Sequence, residues 1–166
     1  MAHRFTINAT VNNVSFEDFK KIVADPKFHE GVSERIPGTN KVILESQVSG
    51  STYTLRREYN LDVNIPDIAK KLLKDAFRIK RQDKFDLEKY TSTVDLSSNN
   101  IPLEAHCDRK IEGTSNQLNF TMTWEIKVKV PLIGGLLEKH AEGEVRKFTA
   151  LELTIIEEQA RIYLAE

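Results

Sequence analysis

The residues of this 166-residue chain that could carry chemistry are ionisable side chains placed in phase with apolar ones. Arg57 shares strand parity with Tyr53, Leu55 and Tyr59, Arg81 with Phe77 and Ile79, and Arg109 with Leu103, Ala105, Cys107 and Ile111. Alternation therefore turns three guanidinium groups inward. Near the C-terminus, where spacing is helical, Glu144 lies about 40° from Phe148 and Glu152 a similar angle to the other side, both within the apolar stripe. A lone charge in an apolar interior is costly, so these groups should pair, an arginine with Glu144 being the expected match. An arginine left partly unpaired would hold a ligand carboxylate or phosphate while aromatic walls take its tail. The plainer alternative puts these groups near a cavity mouth or past a β-bulge, where they reach solvent.

Other candidates are weaker. Phe120, Met122, Trp124, Tyr53, Tyr59 and Phe148 fall on inward faces, where they either line a cavity or fill a solid core. His140 lies at the edge of the helical stripe. His106, Cys107 and Asp108 are adjacent on a strand, so they point to alternate faces and do not form a metal site. Cys107 has no motif supplying a base, and a small buried filler is the expected role. The chain has no glycine-rich phosphate loop, paired-histidine zinc motif or serine nucleophile elbow, and no cofactor is called for.

The elements that must position these residues are legible from periodicity. Arg4 to Val11 alternates as a strand; Ser15 and Asp25-Pro26 then cap two short helices. Period two returns at Lys41, with Val42 and Leu44 followed across a Ser49-Gly50 turn by Tyr53 to Leu61. Ile65-Pro66-Asp67 opens a third helical segment, Ile68 to Asp75, whose Ile68, Leu72 and Leu73 would cover a sheet edge as a lid. Strands follow over Phe77–Leu87, Tyr90–Leu96, Leu103–Ile111 and Leu118–Val130. The rest, Leu132 to Ala165, reads as one helix on the order of 45 Å long, with Ile133, Leu137, Ala141, Phe148, Leu151, Ile155 and Ile162 in its apolar stripe. The fold class is thus α+β: an antiparallel sheet of about six to seven strands closed by a long C-terminal helix, with residues 1–166 as one domain.

This order of elements resembles the helix-grip fold of the START and birch-pollen-allergen-like (SRPBCC) superfamily. The run from Val130 through Pro131, Leu132, Ile133, Gly134 and Gly135 is similar to the strand-to-helix junction of an uncharacterised bacterial branch of it. Ile65-Pro66 with Lys70-Lys71-Leu72-Leu73 adds to that likeness. The resemblance implies a sheet curved around the long C-terminal helix, with a cavity between the two for an apolar or amphipathic small molecule, lipid-like or polyketide-like. It also leaves open a cyclase or hydrolase using Arg57, Tyr59 or Glu144, or an interaction protein with a vestigial cavity; the noncatalytic carrier is preferred. The expected ligand-binding set is Tyr53, Leu55, Arg57, Tyr59, Arg81, Arg109, Phe120, Met122, Trp124, His140, Glu144 and Phe148.

Bulk properties narrow the partners. With 24 basic and 25 acidic residues the chain has no overall field for nucleic acid. Cys107 is the single cysteine, which excludes an internal disulfide. No stretch approaches the roughly 18 apolar residues of a membrane span or the core of a signal peptide, so the expected location is cytoplasmic. Lys70, Lys71 and Lys74 beside Ile68 and Leu72 would permit transient membrane contact, or simply form a solvated face. Nothing in the sequence speaks to oligomeric state.

Overall fold

A computed structural model describes residues 2–62, 65–71 and 77–166. In chain order the elements are β1 (His3–Asn12), α1 (Phe16–Val23), α2 (Pro26–Arg35), β2 (Thr39–Ser49), β3 (Thr52–Leu61), α3 (Asp67–Lys70), β4 (Phe77–Asp86), β5 (Thr91–Ser98), β6 (Leu103–Gly113), β7 (Gln117–Val128) and α4 (Gly134–Ala165). The strands form one curved antiparallel sheet in the order β1-β7-β6-β5-β4-β3-β2, so the first strand closes beside the last and β2 is the far edge. Local chemistry starts each short helix as expected. Ser15 Oγ accepts the Asp18 N–H to cap α1, and the Asp25 carboxylate accepts the Lys27 N–H with Pro26 in the first turn of α2.

Alternation is strictest in β7, where Leu118, Phe120, Met122, Trp124, Ile126 and Val128 are buried and Thr121, Thr123, Glu125 and Lys127 are exposed. β2 departs from the expected pattern. Val42 and Leu44, read as inward residues, are 46% and 49% exposed. Two register shifts against β3, at Thr39/Val42 and Ile43/Glu45, break the alternation of this edge strand. α4 meanwhile packs mainly on β1, β7 and α2, leaving β2 with little to bury against.

The long helix also differs in detail from its periodicity. It begins at Gly134 rather than Leu132, because Pro131, Leu132 and Ile133 make the turn out of β7, closed by the Gly134 N–H donating to the Val130 carbonyl at 2.9 Å. Leu132 is fully exposed at φ 71°. Leu151 and Ile162, read as part of the apolar stripe, are 53% and 50% exposed. The buried face is turned toward Glu138, Thr149, Glu152 and Leu153. Two polar contacts set that rotation: Glu138 Oε2 accepts the Val128 N–H at 2.8 Å, and Glu152 pairs with Arg81 at 2.7 Å. The third helical segment is short. α3 ends at Lys70 with Ala69 buried and Ile68 outward, so Ile68 does not cover the sheet; Leu72, Leu73, Lys74 and Asp75 lie outside the described residues.

α4 reaches the sheet through a close backbone approach. A Cβ on Gly134 would stand 2.4 Å from the Val128 carbonyl oxygen, whereas one on Gly135 would meet nothing within 4 Å. Gly134→Ala should therefore cost about 2 kcal/mol or more. Gly135→Ala should be neutral or stabilising by up to about 1 kcal/mol, as for any open helical glycine. Urea unfolding of both variants checks the contrast, and equal effects would show that the junction is not tightly seated.

Candidate functional site

Directly across β3 and β4, Arg57 faces Arg81. Like charges opposed on one sheet face repel, and in a buried layer the pair stands only if a counter-charge reaches both. Asp83, one inward step along β4, supplies it. Its Oδ1 accepts from Arg81 Nε at 2.8 Å and Arg57 Nη2 at 3.2 Å, while Oδ2 accepts from Arg81 Nη2 at 2.9 Å and Arg109 Nη2 at 3.1 Å. Glu152 descends from α4 onto the same group, accepting from Arg81 Nη1 at 2.7 Å and Nη2 at 3.2 Å. Two serines complete the shell. Ser33 of α2 accepts from Arg57 Nη1 at 3.0 Å, and Ser92, opposite Arg109 on β5, accepts from Arg109 Nε at 2.7 Å.

All five charged residues are under 9% exposed. Burial alone would raise the Asp83 and Glu152 carboxyls, yet the surrounding guanidinium groups, Arg81 foremost, hold both below their ordinary values. Arg81 is correspondingly driven well above its usual value, since Asp83 and Glu152 outweigh its desolvation. His29 sits beside the cluster, its ring stacked 4.3 Å from Tyr53 and its Nε2 2.8 Å from the Val23 carbonyl. Desolvation lowers its pKa to about 4, so it is neutral at physiological pH.

On one side of this cluster the space between sheet and α4 is open. A cavity of about 340 Å³ is bounded by β3 to β7, by the segment at Ile65, Pro66 and Ala69, and by the half of α4 from Leu137 to Glu152. Its walls are mainly apolar, with Ile79, Val94, Ala105, Met122, Trp124 and Phe148 among them. Arg81, Arg109 and Glu152 form its inner end and also border a second hollow, of about 40 Å³, toward α2. The charge cluster is thus a partition. Beyond it α4 is tied to α2, with Tyr163 donating to the capping Asp25 at 2.5 Å and Arg35 paired with Glu158.

Of the residues expected to meet a ligand, the cavity gathers Tyr59, Arg81, Arg109, Met122, Trp124, His140, Glu144 and Phe148. Leu55, Arg57 and Phe120 lie at the smaller hollow instead. Tyr53 borders neither; its hydroxyl shares a 2.7 Å hydrogen bond with Ser46, and burial raises its pKa to about 12. The expected arginine–Glu144 pair is not formed. Glu144 pairs with Lys147 at 3.6 Å and approaches His140 at 3.9 Å near the surface, because the helix rotation presents Glu152 to the arginines. Asp83 escaped the sequence reading although it shares the parity of Ile79 and Arg81; carrying that alternation two residues further would have found it. Ser33 and His29 have no such signal, because they reach the cluster from a separate helix. Cys107 is fully buried with its thiol pushed up to about 12 by desolvation, as suits a filler. His106 faces outward between Asp95 and Asp108, and no group of metal-ligating residues occurs among the described residues.

Solved structures share this architecture. They include the Zhui aromatase/cyclase from Streptomyces sp. R1128 (TM-score 0.64, 11% identity, covering 96% of this chain and 94% of that one). A START superfamily protein from Mycobacterium smegmatis aligns with TM-score 0.60 and 14% identity, covering 97% and 99%. Norcoclaurine synthase from Thalictrum flavum aligns with TM-score 0.58 and 12% identity, covering 99% and 89%. The helix-grip fold of the START and birch-pollen-allergen-like superfamily is therefore the fold of this chain. By sequence, residues 6–158 match the model of a family described as protein of unknown function (DUF2505). No curated protein is significantly similar in sequence. No helix among the described residues is long and apolar enough to cross a membrane.

Two measurements probe the cluster. Removing its shared acceptor by Asp83→Ala takes an ionic partner from three buried guanidinium groups and leaves Glu152 as their one carboxylate, which should cost about 3–5 kcal/mol, whereas Glu144→Ala should change stability by less than about 1 kcal/mol. Comparable losses in urea unfolding would contradict the assignment of Asp83 as hub. His29 predicts a pH dependence. Between its ordinary pKa of 6.5 and its folded value of about 4, the unfolded chain binds a proton that the folded one excludes. Stability should fall as pH drops through that window, by on the order of 3 kcal/mol. Loss from the depressed carboxyls sets in lower, below the ordinary carboxylate values. His29→Phe should flatten the upper window, and an unaltered profile would rule His29 out as its source.

Proposed function

The chain belongs to the DUF2505 family, and we propose that it binds an apolar or amphipathic small molecule in the cavity between its sheet and α4. The observation that carries this reading is the cavity itself: about 340 Å³ of mainly apolar wall, within the size range of small-molecule sites. A helix serving only as a plug would bring side chains enough to close that space. Here α4 opposes the sheet with Ala141, Val145 and Phe148, and the facing strand β6 contributes Ala105, leaving the middle unfilled. Burial of an apolar ligand would supply about 25 cal/mol per Å² of contact removed from water.

The fold relatives support a binding cavity without naming its occupant. The Thalictrum norcoclaurine synthase has been solved in complex with dopamine and hydroxybenzaldehyde, so that protein takes small aromatic molecules. Entry is placed on the side of Ile65 and Pro66, half-buried residues in the described part of the segment read as a lid, with Ala69 buried behind them. A carrier is preferred over a cyclase or hydrolase because Glu152, the carboxylate at the inner end, is held ionised by Arg81 and is a poor proton donor near neutrality. Of the three residues expected for acid–base chemistry, Arg57 is bound to Ser33 and Asp83 outside the main cavity, Glu144 is paired with Lys147 near the surface, and Tyr59 lines the wall.

Nile red, an uncharged apolar fluorophore, should bind with a blue-shifted, enhanced emission. Ala105→Phe, which projects a ring into the cavity from β6, should abolish that signal while circular dichroism stays unchanged. No binding by the unaltered protein, or equal binding by the variant, would defeat the cavity as the site.

A further inference from the structure

The charge cluster at the inner end of the cavity does not balance. Three guanidinium groups, Arg57, Arg81 and Arg109, face two carboxylates, Asp83 and Glu152, all buried. The other buried acid, Glu138, accepts the Val128 N–H fourteen residues back along α4, roughly 21 Å away at helical rise, and does not offset them. His29 is neutral, and the Glu144–Lys147 pair at the mouth cancels itself. Asp62 in the rim is exposed and screened by water. One positive charge is left over in an apolar interior, where an uncompensated ion is costly.

The hydrogen-bond inventory shows where that surplus is available. Arg81 is engaged through all three of its nitrogens: Nε, Nη1 and Nη2 make four of the five hydrogen bonds a guanidinium can donate, all to Asp83 or Glu152. Arg57 is held by Ser33 and Asp83 through Nη1 and Nη2; its buried Nε has no partner among the described residues, but it borders the smaller hollow and not the main cavity. Arg109 is different. Its Nε and Nη2 are engaged, but Nη1 stands 3.9 Å from Glu152 Oε1, beyond hydrogen-bond reach, and its guanidinium lines the cavity. Arg109 lies opposite Met122 on β7, and Trp124 is the next residue on that face. Trp124 also lines the cavity, and its buried Nε1–H has no partner among the described residues. A tryptophan N–H and a guanidinium are both donors only, so what completes them must be an acceptor.

Resting on the cavity reading above, we infer that the ligand is a monoanion: an apolar body ending in a singly charged oxyanion, such as a carboxylate, seated against Arg109 and Trp124 at the inner end. A single charge brings the cluster to neutrality, whereas a dianionic phosphate would leave one negative charge over in the same apolar surroundings. A neutral ligand leaves the surplus as it is, and a cation adds to it. Charge-assisted hydrogen bonds in a dry site carry the discrimination.

The test compares three probes with one tail, decanoate, decanol and decylamine, as displacers of Nile red at neutral pH. Decanoate should displace it at concentrations about tenfold or more below decanol, with decylamine the weakest. Arg109→Gln leaves two guanidinium groups against two carboxylates, a balanced cluster, and should bring decanoate to within about twofold of decanol while decanol is unaffected. Lys147→Gln, which removes the cation at the mouth, should preserve the preference. Equal displacement by decanol and decanoate overturns the monoanion while leaving the cavity standing, as does a preference that disappears with Lys147 and survives loss of Arg109. Failure of Nile red itself to bind removes the cavity reading and this one with it. The unaltered protein's probe series decides the question even if the Arg109 variant does not fold.

Discussion

Asp83 reaches three guanidinium groups with two oxygen atoms, and the arrangement of much of the molecule follows from that shared acceptor. It allows Arg57 and Arg81 to be cross-strand neighbours, which repulsion would otherwise forbid in a buried layer. Arg81, so placed, receives Glu152 and thereby sets which face of α4 meets the sheet. Arg57 receives Ser33 and ties α2 to β3. Sheet, short helices and long helix are joined at one polar point. Buried ion networks are rarely the cheapest way to stabilise a core, and hydrophobic replacements often do better. What such a network supplies is a fixed geometry: each guanidinium is planar, and its partners hold it in one orientation.

That geometry divides α4 into two halves with different work. From about Glu158 onward the helix is bound to α2 through Tyr163 with the capping Asp25 and through Glu158 with Arg35, and Ala160 is buried there. From Leu137 to Glu152 it stands off the sheet and roofs the cavity. A single apolar stripe running the whole length would have closed both halves alike. The polar wedge at Glu152 is where one regime passes into the other, because a carboxylate held by Arg81 cannot slide to let the next turn pack more tightly. At the other end, Gly134 beside the Val128 carbonyl and Glu138 on the Val128 N–H pin the roof to β7. The cavity is thus suspended between two fixed points, and its volume need not depend on an occupant.

The fold was legible because period-two and period-3.6 patterns are properties of neighbouring residues. β7, the two capped helices and the long C-terminal helix each announce themselves locally, and so does the inward parity of Arg57, Arg81 and Arg109. What failed was what a neighbouring element decides. Val42 and Leu44 alternate correctly for a half-buried strand, but β2 lies at the sheet edge with register shifts and little covers it. Leu151 and Ile162 belong to an apolar arc, but the helix is rotated by its ion pair with the sheet. Glu144 and Glu152 are equally inward by angle from Phe148, and only the position of Arg81 opposite chooses between them. Ser33, His29 and Ser92 carry no sequence signature of their role, since serine and histidine at those positions read as ordinary helix and strand residues.

Parity could show that charges enter the core; it could not show their sum. The count requires knowing that Asp83 and Glu152 join the cluster while Glu138 and Glu144 do not, and those four carboxylates are separated by tertiary placement alone. Once they are placed, the cluster and its surroundings hold more donors than acceptors: Arg109 is incompletely engaged, and the buried Arg57 Nε and Trp124 Nε1 have no partner among the described residues. A core designed only for stability would have replaced one of the three arginines by an apolar residue, removing the surplus charge and that arginine's unpaired donors at little cost. Retaining them makes physical sense where something else supplies the missing acceptor, and the open space beside Arg109 and Trp124 is the place from which it can.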